Sequence, residues 1–396
     1  MVVYRNIQNT HRPTNSSLTL VIKVGTSSIC DEKTHYPLLS NLSRIVETIL
    51  HLKQLGHRVV LVTSAAVGTG LRRLNLPEKP KKLAAAQAIA AVGQGRLMST
   101  YDDLFGQFNQ PVAQLLLTKN DLAQRTQYLN AVNCLEELLD MGVVPIVNEN
   151  DTISVSEIKF GDNDTLSAIT AGMVKADYLF LMTDVDCLYT DNPRTNPAAR
   201  PVMVCENIDA LRQEIKVTAP GSSLGTGGMV TKLVAADLAT AAGVTTIIAR
   251  GSTPENILPI VSDSAFSSSI PKHTRFVAQP QPLIDRKWWI LHGLHTAGTI
   301  YIQTDIAKLI AQGAAKQKSP TSLYAHSVSK VEGNFVEHQA VRLVVESTGT
   351  VAKGIVNYSA AEIMRIMKAD ESNIVDSLGY TDCDCIMDSD NMAISI

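Results

Sequence analysis

The stretch Leu18-Thr-Leu-Val-Ile-Lys-Val24 is a short run of apolar and β-branched residues that closes at Gly25, and this pattern predicts a buried strand that opens into a loop. Apolar residues then recur at helical spacing from Leu38 to Leu55, and a second strand-like run follows from Arg58 to Thr63. A helix between two strands at this spacing forms a βαβ unit. We therefore expect the two strands to belong to a parallel sheet.

The same alternation of helical and strand-like patterns continues along the chain. Further helices are predicted at 82–105, 126–141, 165–174 and after Met229, and further strands at 112–117, 143–147, 178–182 and 245–249. The small residues between Ser64 and Gly70 are expected to form a loop. The sequence thus predicts a three-layer α/β/α sandwich with a mostly parallel sheet over residues 18–278.

The pattern changes at Gln279-Pro-Gln-Pro282, and we expect a linker over residues 279–285. Beyond it lie short alternating segments, which are typical of a small β-rich domain. Its strands are predicted at 288–291, 299–302, 327–331, 341–346 and 351–357, and its helices at 305–312 and 360–368. We assign this domain to residues 286–380, an exposed loop to 314–321, a polar N-terminal extension to 1–17 and a flexible tail to 381–396.

Composition limits the classes of protein to consider. A chain of 396 residues is long enough for two domains, and a net charge of -3 gives no general attraction to nucleic acid or anionic lipid. The six cysteines are scattered, and Cys383-Asp-Cys385 is more typical of a tail than of a metal site. No apolar run approaches the ~18 residues of a membrane span, and the N-terminus lacks the apolar core of a signal peptide. We expect a reduced cytoplasmic protein.

A glycine-rich loop with the sequence Gly221-Ser-Ser-Leu-Gly-Thr-Gly-Gly-Met-Val-Thr-Lys-Leu233 runs into a helical pattern. Unpaired amides and the positive end of a helix dipole favour an anion at such a position. The spacing fits neither a G-x-x-x-x-G-K-[ST] phosphate loop nor a G-x-G-x-x-G fingerprint. The loop alone is therefore compatible with an ordinary surface turn as well as with a phosphate site.

Two lysines accompany loops of small residues: Lys23 in an apolar strand and Lys232 at the start of the helix. A lysine in a buried strand costs free energy unless its charge has a partner, although an edge strand would let the ammonium reach water. Two cations around a phosphate are what phosphoryl transfer requires, because negative charge spreads over the transferring group. The pair therefore indicates a phosphoryl-transfer site.

Acidic residues follow two other segments: Asp151 after a predicted strand, and Asp162 and Asp164 before a predicted helix. Turn and helix-cap roles would explain them individually. Because ligands of open α/β sheets bind at the carboxyl ends of the strands, we expect these acids to form a polar pocket for a zwitterionic ligand beside the lysines. No histidine, serine or cysteine is arranged as a nucleophile with a base, which argues against covalent catalysis.

The chain resembles the glutamate 5-kinase family of the amino acid kinase superfamily in six motifs that occur in the same order. They are Val21-Ile-Lys-Val-Gly-Thr-Ser27, Val62-Thr-Ser64, Val147-Asn-Glu-Asn-Asp151, Gly161-Asp-Asn-Asp-Thr-Leu-Ser-Ala168, Leu181-Met-Thr-Asp184 and Gly225-Thr-Gly-Gly-Met-Val-Thr-Lys232. The C-terminal part resembles the PUA domain, named for pseudouridine synthases and archaeosine transglycosylases. The resemblance covers nearly the whole chain.

This resemblance implies MgATP-dependent phosphorylation of the γ-carboxylate of L-glutamate to γ-glutamyl phosphate, the first step of proline biosynthesis. It implies that Lys23 and Lys232 neutralise the transferring phosphoryl group and that Asp164 orients both lysines. The residues implied to bind glutamate are Ser64, Asp151, Asn163, Asp162 and Glu149. Those implied to bind the nucleotide are Lys23, Thr183, Asp184, Thr226, Gly227, Gly228, Met229, Val230, Thr231 and Lys232. Mg²⁺ is expected on the ATP phosphates and water rather than in a cage of protein ligands.

The resemblance also implies partners: proline as an inhibitor, a homo-oligomeric assembly (dimer or tetramer), and transfer of the product to glutamate-5-semialdehyde dehydrogenase. No membrane partner is expected, and RNA binding by the PUA-like domain is left open. The chain departs from the family at Ala65, where glycine is usual, and at Val230, where serine is common. Two alternatives remain: an aspartate or N-acetylglutamate kinase of the same superfamily, and a non-catalytic RNA-binding amino acid sensor.

Overall fold

The computed structural model describes residues 17–118, 121–122, 125–153, 163–191, 196, 198–214, 228–262, 270–279, 285–294, 296–315, 322–345, 349–367 and 385–394. The chain divides into two units, Met1–Pro282 and Leu283–Ile396. The N-terminal extension up to residue 16, the glycine loop 221–227 and most of the expected linker lie outside the described residues. The domain boundaries drawn from the sequence stay a prediction.

The first unit is built on an eight-stranded sheet in the order β3-β4-β2-β1-β5-β9-β10-β8. All neighbouring strands in it are parallel except β9 and β10. The remaining two strands of this unit, β6 and β7, form a separate antiparallel pair. The ten strands are β1 (Thr19–Val24), β2 (Arg58–Val62), β3 (Val112–Leu117), β4 (Val144–Glu149), β5 (Tyr178–Thr183), β6 (Leu188–Tyr189), β7 (Pro201–Val202), β8 (Val204–Cys205), β9 (Thr245–Arg250) and β10 (Thr274–Phe276). The prediction of a mostly parallel sheet is confirmed.

Helices connect these strands along the chain. They are α1 (Thr26–Ile29), α2 (Leu39–Gln54), α3 (Ala66–Arg73), α4 (Leu83–Gly106), α5 (Arg125–Asp140), α6 (Asn163–Met173), α7 (Ile208–Glu214), α8 (Met229–Ala241) and α9 (Ile257–Ser262). The strands β1 and β2 are buried almost throughout, which explains why their sequences are continuous apolar runs rather than alternating ones.

The segment from Ser64 to Gly70 differs from its prediction, because most of it is helix α3 rather than loop. Gly70 in this segment and Gly93 in α4 allow the two helices to pack closely. A Cβ atom added at Gly70 would lie 2.0 Å from the carbonyl oxygen of Ile89, and one added at Gly93 would lie 1.8 Å from that of Ala66. Only glycine therefore lets α3 and α4 approach to this distance. The sequence prediction took these small residues as loop formers.

The second unit contains a five-stranded sheet in the order β12-β11-β13-β14-β15. Its strands are β11 (Thr296–Ile302), β12 (Val328–Gly333), β13 (Ala340–Val345), β14 (Gly349–Ile355) and β15 (Met392–Ile394), and its helices are α10 (Asp285–Trp288), α11 (Thr304–Ala315) and α12 (Ala360–Ile366). The prediction of a β-rich second domain is confirmed. Helix α11 extends into the expected loop at 314–321, whose residues 316–321 lie outside the described part.

Two segments of the second unit differ from the sequence prediction. The expected strand at 288–291 belongs to α10 and a following π-helix, Trp289–Gly293, and Trp288, Trp289 and Ile290 are buried one after another. The C-terminal segment was expected to be a flexible tail, but residues Cys385–Ile394 are part of the unit, with β15 paired to β14. The apolar pattern of the four residues 288–291 is too short to distinguish a strand from a buried helical turn.

The packing of the C-terminal segment depends on a glycine in β14. A Cβ atom added at Gly354 would lie 2.2 Å from the sulfur of Met387, which is fully buried. The missing side chain at Gly354 therefore makes room for a residue more than thirty positions away. Such complementarity between distant residues leaves no local signal in the sequence.

None of the helices that the structure describes is long and apolar enough to cross a bilayer.

Candidate active site

Lys23 lies in the middle of the sheet, because β1 pairs with β2 on one side and with β5 on the other. The whole residue is only 5% exposed. An edge position with the ammonium group in water, which the sequence had left open, is therefore wrong. A buried lysine in a central strand requires a partner for its charge.

The partner of Lys23 is Asp164, in the first turn of α6, which is fully buried. Lys23 Nζ lies 2.6 Å from Asp164 Oδ1, and Lys232 Nζ lies 3.1 Å from Asp164 Oδ2. Lys232 comes from the first turn of α8 and is 6% exposed. We call these three residues the charged cluster. One carboxylate thus holds two ammonium groups from distant parts of the chain, and the cluster carries a net charge of one positive unit.

The surroundings of Asp164 keep its carboxylate ionised. Burial by itself raises the pKa of Asp164, but the charges of Lys23 and Lys232 and a hydrogen bond from Thr231 outweigh burial and hold this pKa well below its usual range. At neutral pH the carboxylate therefore remains negative, and it can compensate only one of the two lysines. The three side chains together therefore carry one excess positive charge, which attracts an anion.

Thr231 connects the start of α8 to the charged cluster. Its Oγ1 lies 2.9 Å from Asp164 Oδ2 and 2.7 Å from the carbonyl oxygen of Gly228, and it accepts a hydrogen bond from the Gly228 amide at 3.0 Å. Met229 is half-buried and Val230 is exposed. This arrangement fixes the helix N-terminus beside Lys232, as expected for an anion site. Thr226 and Gly227 lie outside the described residues.

A neutral hydrogen-bond network lies next to the charged cluster along the chain, because Asn163 directly precedes Asp164. Asn163 Nδ2 donates to the carbonyl oxygen of Thr63 at 2.7 Å, to Ser64 Oγ at 3.0 Å and to Asn148 Oδ1 at 2.8 Å. Asn148 Nδ2 in turn donates to Gln94 Oε1 at 2.8 Å. We call Gln94, Asn148 and Asn163 the amide network. It joins the carboxyl ends of β2 and β4 to α4 and α6.

The remaining residues expected to bind glutamate lie at the same edge of the sheet where the structure describes them. Glu149 is the last residue of β4 and Asp151 follows in the next turn, both half-buried. Asp162 lies outside the described residues.

Ala65, next to Ser64, has an unusual backbone conformation. Its φ is 78° and its ψ is 13°, in the left-handed region that glycine favours. For a residue with a side chain this conformation costs roughly 1–2 kcal/mol. Ala65, which stands where the family usually has glycine, therefore adopts a backbone conformation that glycine favours.

The expected nucleotide residues Thr183 and Asp184 lie at the end of β5. Thr183 is 9% exposed, its Oγ1 lies 3.2 Å from Asp184 Oδ1, and its carbonyl oxygen accepts a hydrogen bond from the Gly251 amide. A Cβ added at Gly251 would lie 2.2 Å from Ser28 Oγ and 3.2 Å from Ser28 Cβ, so a side chain here would force Ser28 to move. The sheet order places the ends of β4, β2, β1, β5 and β9 in a row. Lys23 lies between the residues expected to bind glutamate and those expected to bind nucleotide.

Comparison with known proteins identifies the family. A family model described as "Amino acid kinase family" matches residues 19–250, and one described as "PUA domain" matches residues 308–378. The "Probable glutamate 5-kinase" of Schizosaccharomyces pombe is 52% identical over 389 residues, which covers 97% of this chain and 95% of that protein. This chain belongs to the glutamate 5-kinases of the amino acid kinase family.

A bacterial member, the "Glutamate 5-kinase" of Rippkaea orientalis, is 45% identical over 377 residues, covering 95% of this chain and 99% of that protein. A solved structure, carbamate kinase from Giardia lamblia bound to AMP-PNP, is 21% identical, with a TM-score of 0.46 over 67% of this chain and 100% of its own. That likeness is too low to support an argument about the site. The resemblance found in the sequence motifs is confirmed by the relatives.

Several polar residues at or near the same edge of the sheet were not indicated by the sequence motifs. Gln94 and Tyr101 come from α4, where nothing but helical periodicity marks them, and Tyr101 OH lies 2.8 Å from Thr63 Oγ1. Arg250, at the end of β9, forms an ion pair with Asp186. Asn148 was part of a motif but received no role. For Gln94 the sequence does carry a signal, namely a polar residue inside an apolar helix pattern.

Proposed function

We propose that this protein transfers the γ-phosphoryl group of ATP to the γ-carboxylate of L-glutamate, giving γ-glutamyl phosphate and ADP as the first step of proline biosynthesis. The observation that carries the proposal is the charged cluster, in which two buried ammonium groups share one carboxylate. Membership of the glutamate 5-kinase family supports the choice of substrate.

The proposed step requires charge stabilisation rather than a base. A glutamate γ-carboxylate has a pKa of about 4.3 and is already ionised at neutral pH, so no proton has to be removed before it attacks phosphorus. The bond from the carboxylate oxygen to phosphorus forms while the bond from phosphorus to the bridging oxygen of ADP breaks. In our proposal Lys23 and Lys232 stabilise the negative charge on the transferring group and on the leaving oxygen, and Asp164 keeps the two ammonium groups in place.

The donor set of the charged cluster fits a polyphosphate. Its excess positive charge and the amides at the start of α8 are complementary to phosphate oxygens. We assign nucleotide binding to Thr183, Asp184 and the loop from Thr226 to Lys232. Among the described residues, no three or more histidine, cysteine, aspartate or glutamate side chains are grouped to hold a metal ion. We expect Mg²⁺ to be held mainly by the nucleotide phosphates and water, where it would neutralise phosphate charge.

Glutamate binding is assigned to the other side of Lys23. Ser64 and Asn163 are hydrogen-bonded to each other, and Glu149, Asp151 and Asp162 come from the neighbouring segments. Hydroxyl, amide and carboxylate groups together suit a zwitterion with an extra carboxylate. These roles are assigned to the residues by the family resemblance, and the placement of Ser64, Glu149, Asp151 and Asn163 at one edge of the sheet supports them.

Regulation and location belong to the same proposal. Proline shares the α-amino and α-carboxylate groups of glutamate, so we expect it to compete for an overlapping site. We further propose a homo-oligomer in the cytoplasm that passes its labile product to glutamate-5-semialdehyde dehydrogenase.

The experiment that tests the function is ADP release by the purified protein with ATP and Mg²⁺, using glutamate, aspartate and N-acetylglutamate in turn. Glutamate should give the highest kcat/KM by at least about tenfold. Faster turnover of aspartate or N-acetylglutamate would reject the assignment. Activity that is unchanged by millimolar proline would reject the regulatory part alone.

A further inference from the structure

Gln94 holds a position that stability does not explain. It lies on α4 with 8% of its surface exposed, and its Oε1 accepts the hydrogen bond from Asn148. Its Nε2 is buried and has no hydrogen-bond partner in the described part of the chain. An unpaired buried amide donor reduces stability, so a glutamine here calls for another reason.

The hydrogen bond to Gln94 is one of three that hold the side chain of Asn148. Asn148 Oδ1 accepts from the Glu149 amide at 2.9 Å and from Asn163 Nδ2 at 2.8 Å, and its Nδ2 donates to Gln94. Rotating this amide by half a turn would place its nitrogen against two donors and its oxygen against the oxygen of Gln94. Because the Gln94 amide could turn as well, the backbone amide of Glu149 decides which end of Asn148 accepts, and Gln94 holds the donor end in place.

Asn148 in turn helps to set the polarity of Asn163. The two N–H groups of Asn163 Nδ2 are shared among three acceptors, on Thr63, Ser64 and Asn148. All three of these hydrogen bonds are made by the nitrogen of Asn163, and no residue that the structure describes donates one to Asn163 Oδ1. Asn163 can therefore offer a ligand its oxygen but not its nitrogen.

We propose that Gln94 is a positioning residue for substrate recognition. Acting through Asn148, it holds Asn163 so that Oδ1 is the acceptor for the α-ammonium group of the amino acid substrate. An ammonium group donates three hydrogen bonds and accepts none, so an amide fixed in this sense favours it. The inference rests on the proposed function and specifies how the same site recognises the α-amino group.

The test compares glutamate with glutarate, which has both carboxylates but no ammonium group. In Gln94→Met the side chain keeps a similar length but no longer accepts the hydrogen bond from Asn148. We expect the KM for glutamate to rise about tenfold, which corresponds to about 1.4 kcal/mol, while the inhibition constant of glutarate and the KM for ATP change by less than about twofold. A loss caused by general loosening of the fold would weaken both ligands together.

A matched control is Thr48→Ala in helix α2, which removes a buried hydroxyl group that donates to the carbonyl oxygen of Arg44, outside the amide network. It should lower the thermal unfolding midpoint without changing the ratio of the glutamate KM to the glutarate inhibition constant. In an Asn148→Ala background, Gln94→Met should have no further effect on that ratio, because Gln94 acts through Asn148.

The outcomes separate the inference from the function on which it rests. If the wild type turns over glutamate but Gln94→Met leaves the ratio of the glutamate KM to the glutarate inhibition constant unchanged, only the role of Gln94 is overturned. The role would also be overturned if Gln94→Met changed the ratio of the glutamate KM to the glutarate inhibition constant as much in the Asn148→Ala background as in the wild type. Absence of glutamate-dependent ADP release by the wild type would overturn the proposed function and this inference with it.

Discussion

The charged cluster and the amide network meet on the first turn of α6 but are held by different forces. Asp164 faces two cations, and opposite charge in a buried place keeps the three side chains together. Asn163 faces three neutral acceptors, and only the match of donors to acceptors fixes its orientation. Two adjacent residues of one helix thus belong to two sites with different physical requirements.

This difference indicates how the two tasks of the proposed reaction are divided. Attraction between charges depends weakly on angle, so the charged cluster can follow a phosphoryl group as it moves between two oxygens. Hydrogen bonds between neutral groups depend strongly on direction, so the amide network suits recognition of one substrate group. We expect the charged cluster to determine kcat and the amide network to determine the KM for glutamate.

The largest effect is expected from removing one charge of the charged cluster. Lys232→Met keeps most of the side-chain volume and removes the ammonium group, and kcat should fall by roughly 10²-fold or more because the transferring group loses a stabilising charge. Steady-state ADP release measures it. Lys33→Met, at an exposed lysine, is the matched control and should retain wild-type kcat. A Lys232→Met enzyme with normal kcat would refute the proposed role of the charged cluster.

The next effect concerns stability in acid. The folded-state pKa of Asp164 is depressed, so its contribution to stability is present above the unfolded-state pKa of about 3.9 and is lost as pH falls below that value. Asp164→Asn should therefore be less stable at pH 7, and its free energy of unfolding should fall less steeply below about pH 4. Urea unfolding at a series of pH values measures both. If the free energy of unfolding fell equally with pH in the wild type and in Asp164→Asn, the depressed pKa of Asp164 would be contradicted.

A smaller effect is expected when the amide network is cut at Asn163. Asn163→Ala removes the proposed acceptor for the α-ammonium group, and the KM for glutamate should rise by roughly tenfold to a hundredfold, the range for one hydrogen bond to a charged group. The KM for ATP should stay near its wild-type value. A variant in which kcat falls and the glutamate KM does not change would abolish the distinction between the two sites.

The smallest effect is expected at Ala65, beside Ser64. Ala65→Gly relieves the left-handed backbone strain but increases the freedom of the unfolded chain, and we expect a net stabilisation of about 0.5–1 kcal/mol. Ala66→Gly is the matched control, because it lies at the start of helix α3 and should be destabilised instead. Thermal unfolding measures both. Destabilisation of Ala65→Gly would show that strain at this position is negligible.

The sequence predicted well those features that repeat along the chain. Continuous apolar runs predict the strands around Lys23 and Val60, and apolar residues at helical spacing predict the helix from Leu39 to Gln54. Most of the observed ends fall within one or two residues of the prediction. Prediction failed where a residue serves a distant neighbour. The small residues around Gly70 predict a loop, but Gly70 allows two helices to pack. The sequence around Met387 predicts a tail, but Met387 fills a space left by Gly354.

The sequence by itself determined the family, the alternation of strands and helices, and which charged residues the site would need, because these are properties of residue order and type. The tertiary structure alone decided that Lys23 lies in a central strand, that one carboxylate serves both lysines, and that Gln94 is hydrogen-bonded to Asn148. The physical reason is that partners of buried charges and the directions of hydrogen bonds depend on where distant segments meet, and apolar periodicity carries no information about that meeting.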